Sequence, residues 1–64
     1  MSYRIQWHQS EDEPIIGKPI VIERKDLHGS TYSVDSNQGR WEVHRRINNI
    51  IRWVYIDDIL PENQ

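Results

Sequence analysis

The stretch RINNIIRWVYIDDIL, residues 46 to 60, constrains the fold more than any other part of the chain. It concentrates Ile, Val, Trp and Tyr, and Asn48-Asn49 interrupts the run. Two structures compete for it. Val43, Ile47, Ile50, Ile51 and Val54 recur at helical spacing and make an apolar stripe. Yet β-branched and aromatic side chains lose rotamer freedom in a helix and suit a sheet. Asparagine is a poor mid-helix residue, but it tolerates the left-handed conformation of a tight hairpin turn. The composition therefore predicts two strands folded back at Asn48-Asn49.

That hairpin sets Ile47 opposite Ile50, Val43 opposite Val54 and Trp41 opposite Ile56. Each such pair stabilises a sheet by roughly 0.2–1 kcal/mol. The same register places Arg45 against Arg52, a like-charge pair that a three-residue turn would relieve. In either register both faces of the hairpin are apolar, which calls for a central position or a covering partner.

The remaining segments read as strands and turns. YRIQWH alternates, with Tyr3, Ile5 and Trp7 on one side and Arg4, Gln6 and His8 on the other. QSEDEP is an acidic loop, and PIVIERK is a strand with Ile20 and Ile22 on one face. DLHG is a turn, and STYSV is a strand whose Tyr32 and Val34 share a face. DSNQG is a second turn closed by Gly39, and DDILP supplies a short turn or 3₁₀ element. The expected fold is one all-β domain over residues 1–64. It is a five-stranded antiparallel meander curled into a small SH3-like or open barrel. The expected core is Tyr3, Ile5, Trp7, Ile20, Ile22, Tyr32, Val34, Trp41 and Val43.

A chain of 64 residues buries a small share of its surface, and without cysteine it has neither disulfides nor a thiolate zinc site. An aromatic core or self-association must supply the difference. The start of the chain has no apolar signal segment, and no run reaches the ~20 apolar residues of a membrane helix. A cytoplasmic, soluble protein is the expectation.

His8, His28 and His44 lack ligand spacing, and no nucleophile stands beside a base. The expectation is a non-enzyme with no metal, no cofactor and no evident small-molecule substrate. Two binding readings remain. Interfaces favour Trp, Tyr and Arg around a buried anchor. His44, Arg46, Ile51, Trp53 and Tyr55 have that make-up, so the hairpin is expected to dock on a protein partner or on its own copy. The alternative is single-stranded nucleic acid. The chain's net charge is −2, but residues 39 to 56 hold four arginines against Glu42, a local +3 that leaves −5 elsewhere. Arg40, Arg45, Arg46 and Arg52 could neutralise phosphates while the neighbouring aromatics stack on bases.

The segment WVYIDDILPE resembles the W-[IV]-x-[IV]-x-D-x-L-P opening of a family of short bacterial and phage proteins of unknown function. There the motif begins the domain, and here it ends the chain. The resemblance implies a bacterial or phage origin.

Overall fold

The computed structural model describes residues 5–60. It is mostly β, with β1 (His8–Gln9), β2 (Ile20–Asp26), β3 (Gly29–Asp35), α1 (Trp41–Ile47) and β4 (Ile50–Tyr55), followed by a 3₁₀ turn at Ile56–Asp58. The strands form one open antiparallel sheet in the order β1-β4-β2-β3. Among the described residues there are four strands rather than five, and the sheet does not close into a barrel. A smallest dimension of 16 Å leaves room for the sheet and one covering layer.

The expected hairpin at Asn48-Asn49 is replaced by a helix-to-strand turn. Charge spacing explains why WEVHRRI coils. Glu42 lies in the first turn of α1, and His44, Arg45 and Arg46 lie in the last, which suits the helix dipole. Glu42 pairs with Arg45 at 2.9 Å and with Arg46 at 2.8 Å, three and four residues on. Asn49 then takes a positive φ of 54°, and its N–H donates to the Arg46 carbonyl as in a left-handed helix cap. Asparagine does adopt the left-handed conformation, but to end a helix.

Strands β2 and β3 are joined by the two-residue turn Leu27-His28 and pair along their full length. On the other side of β2, Val21, Ile22 and Glu23 oppose Val54, Trp53 and Arg52. Arg24 then opposes Ile50, so Ile51 is the extra residue of a β-bulge. The bulge restores Ile50 to the face that carries Trp53.

Helix α1 covers one face of the sheet. Ile20, Ile22, Trp41, Ile50 and Trp53 form the core there, with Tyr55 packed against it. The two indoles meet edge to face at 6.3 Å, and each donates to the acidic loop: Trp41 to the Ser10 carbonyl and Trp53 to the Asp12 carbonyl. Loop and core are thus tied together by satisfied buried N–H groups.

Several expected core residues lie elsewhere. Tyr3 is outside the described residues. Ile5, Tyr32, Val34 and Val43 are exposed, and Trp7 is half-buried. The alternation around residue 7 holds, but its sense is reversed. His8 stacks on Trp53 at 4.2 Å on the core side, which turns Trp7 to the opposite face.

Candidate interaction surface

The face of the sheet opposite α1 carries two rows of side chains. Arg52, Glu23 and Tyr32 lie side by side across β4, β2 and β3, and Val54, Val21 and Val34 form the next row. The Trp7 ring lies 4.2 Å from the Arg52 guanidinium carbon and 6.1 Å from the Tyr32 ring. An indole that reaches both β4 and β3 must lie across β2. That accounts for the burial of Val54 and Glu23 on a face that no helix covers.

Arg52 is held from two directions. Its Nε donates to Glu23 Oε1, its plane lies over Trp7, and Tyr32 stands in the same cross-strand row on the far side of Glu23. Glu23, and after it the Tyr32 hydroxyl, holds the guanidinium still more firmly in its charged form. Glu23 titrates below the usual carboxylate range, chiefly because the Ser30 hydroxyl and then Arg52 donate to it.

Beyond this clamp the face is bare. Tyr32 is 56% exposed and Val34 69%, and every residue from Ser30 to Val34 is exposed. At the opposite margin Ile51, 40% exposed at its bulge, helps line a shallow groove of about 420 Å³ with Trp7 and Arg52.

The residues expected to form one docking patch are dispersed. Trp53 is 2% exposed and central to the core. Tyr55 is half-buried, its hydroxyl accepting from the Ile15 N–H at 3.0 Å and its ring facing Lys18. Ile51 alone of the five borders the uncovered face. Arg46 is exposed on α1 beside Glu42. His44 joins α1 to the end of β3, with Nε2 2.6 Å from Asp35 Oδ2. On the other side of the ring, Asn48 Nδ2 lies 3.2 Å from His44 Nδ1.

The four arginines are dispersed as well. Arg45 and Arg46 share Glu42, and Arg52 is paired with Glu23. Arg40 lies apart, lining a small cleft with Asp35, Ser36, Gln38 and His44.

Trp7, Tyr32 and Val34 as a surface group escaped the sequence reading. One signal was present: GSTYSVD is short of apolar residues for a central strand, and Thr31 and Ser33 alternate with its two large apolar side chains, Tyr32 and Val34. Among the described residues no helix is long and apolar enough to cross a membrane. Comparison with protein-family models, with curated proteins and with solved structures finds no match.

Proposed function

We propose that this chain is a non-catalytic interaction module that docks on a protein surface, foreign or its own copy, through the uncovered face of its sheet. One observation carries the reading: the ratio of displayed to buried apolar residues. Six hydrophobic residues are buried, whereas ten large ones are exposed among the described residues. Scattered exposed residues are ordinary, but Tyr32 and Val34 stand two residues apart on the same face of β3, and Val34 continues the row of Val21 and Val54. The Arg52–Trp7–Tyr32 clamp beside them offers the aromatic and arginine side chains that anchor interfaces. The surface proposed here differs from the C-terminal hairpin patch of His44, Arg46, Ile51, Trp53 and Tyr55 expected from sequence.

The single-stranded nucleic-acid alternative draws less support. Three of its four arginines already face carboxylates, which lowers the positive potential available to phosphates.

A photo-crosslinking side chain placed at Val34 tests the docking reading in cells that express the protein. Discrete adducts of defined mass from Val34, absent when the same group sits at exposed Asp57, are the expected result. The same diffuse products from both positions would overturn it.

A further inference from the structure

We propose that the free edge of β3 is a self-pairing edge, at which a second copy of this chain adds antiparallel to continue the sheet. This deepens the docking reading and rests on it. The argument begins with the direction of the backbone groups. Asp26 and Gly29 close a two-residue turn, so they exchange both of their hydrogen bonds. Alternation then directs the N–H and C=O of Gly29, Thr31, Ser33 and Asp35 toward β2. It leaves those of Ser30, Tyr32 and Val34 pointing outward. The other side of β2 agrees: the Lys25 N–H donates to the Asn49 carbonyl, and the Ile56 N–H donates to the Pro19 carbonyl, as this alternation requires.

Sheet edges are commonly blunted by charge, proline, a bulge or shortness. The opposite edge is blunted in this way, since β1 is only two residues long. Strand β3 has none of these devices before its last residue, Asp35. It spans seven residues, pairs with β2 without a register shift, and has no charge or proline from Gly29 to Val34.

The strand is also complementary to itself. A two-fold axis at Tyr32 sets Tyr32 against its own copy, Ser30 against Val34, Thr31 against Ser33 and Asp35 against Gly29. All three outward-facing residues then meet outward-facing partners, and each pair can exchange both hydrogen bonds. No like charges oppose each other along the seam, because the only carboxylate in β3 faces a glycine. Such an isologous contact closes on itself as a dimer. It also joins the two uncovered faces, bringing the Tyr32 rings together at the centre.

The test is sedimentation equilibrium of the wild-type chain and of Val34→Pro, with amide hydrogen exchange on the wild type. Proline at 34 removes only an N–H that β2 does not use, and edge strands accept it there. The expected result is a wild-type dimer whose Tyr32 and Val34 amides exchange slowly when concentrated and rapidly on dilution. Val34→Pro should stay folded and monomeric up to about 1 mM. A wild-type monomer at about 1 mM overturns the proposal, as does a dimer whose Tyr32 and Val34 amides exchange freely. The second result would still leave self-association standing, with its contact elsewhere. The Val34 crosslinks separately decide whether the face docks on any protein. If Val34→Pro fails to fold, the wild-type exchange comparison alone decides the matter.

Discussion

The Arg52 guanidinium carbon lies 4.2 Å from the centre of the Trp7 ring, and the same side chain donates through Nε to Glu23. One arginine thus anchors the chain before β1 to the middle of the sheet. Trp7 in turn shields Val54 and Glu23, so its removal should cost more than its partial exposure suggests. Trp7→Ala is expected to destabilise by about 2 kcal/mol, read from urea unfolding, with faster exchange of the Val54 amide. Arg52→Lys should retain the charge but lose the planar stacking, giving a smaller loss in the same assay. Equal stability of Trp7→Ala and wild type would contradict the shielding role.

Glu23 sets a pH dependence of definite sign. Its folded-state value is depressed below the ordinary 4.5 by the Ser30 hydroxyl and by Arg52. A depressed carboxylate contributes stability that is present above the unfolded value and is lost as pH falls through the folded one. Wild-type stability should therefore decline below about pH 4.5, more steeply than that of Glu23→Gln. The gap between the two proteins should narrow as the acid limit is approached. Parallel pH profiles from denaturant melts would remove Glu23 as a source of the acid sensitivity.

Trp53 and Tyr32 should behave in opposite ways. Trp53 packs between His8, Trp41 and Tyr55 and donates to the Asp12 carbonyl, so Trp53→Ala opens a cavity and orphans a carbonyl. The expected cost is about 3–5 kcal/mol. A domain of this size has roughly 3–10 kcal/mol in total, so circular dichroism should show a largely unfolded chain near 37 °C. Tyr32→Ala should keep the native spectrum, because that ring is mostly in water. A folded Trp53→Ala would contradict its place in the core.

Asn37 is a buried polar junction between two loops. Its Nδ2 donates to the Pro14 carbonyl at 2.7 Å and to Glu13, and its Oδ1 accepts from the Gly39 N–H at 2.9 Å. Its own carbonyl accepts from the Gly17 N–H, beside the isolated bridge to Ile16. Asn37→Ala leaves the Pro14 carbonyl and the Gly39 N–H without those partners, at a cost of about 2–3 kcal/mol. Asn37→Asp should be at least as damaging at neutral pH, because it sets a second carboxylate beside Glu13. Thermal melts of the two variants at pH 7 check both expectations.

What the sequence made legible follows from how local each signal is. Strands β2 and β3, the turn at Leu27-His28 and the 3₁₀ turn at Ile56–Asp58 are specified by period-two patterning and turn chemistry within a few residues. The segment from Trp41 to Tyr55 was not, because it holds a helix and a strand end to end. Val43 and Ile47 sit at helical spacing but face solvent, while the apolar run beyond Asn49 serves β4. The informative features were Glu42 with Arg45 and Arg46, a salt-bridge spacing, rather than the apolar stripe. The candidate surface was harder still. Period two correctly separates Trp7 from His8, but an aromatic ring stands on each face, so alternation alone does not say which side meets the helix. The bulge at Ile51 adds a parity change that only the paired strand reveals.

Asn49 is where helix becomes strand, and its backbone makes the sharpest demand in this segment. It is the one non-glycine residue with positive φ among those described. Its Nδ2 donates to the Lys25 carbonyl, and its own carbonyl accepts from the Lys25 N–H. Two separable contributions meet here, the left-handed conformation and the side-chain tie to β2. Asn49→Gly retains the first and loses the second, so it should cost about 1 kcal/mol. Asn49→Ala loses the tie and also forces a Cβ into the left-handed region, adding about 1–2 kcal/mol. Asn49→Val adds β-branching at the same φ and should be the least stable of the three. Chemical denaturation should therefore rank wild type above Gly, Gly above Ala, and Ala above Val. If Ala proved more stable than Gly, the left-handed cap would not be what ends α1.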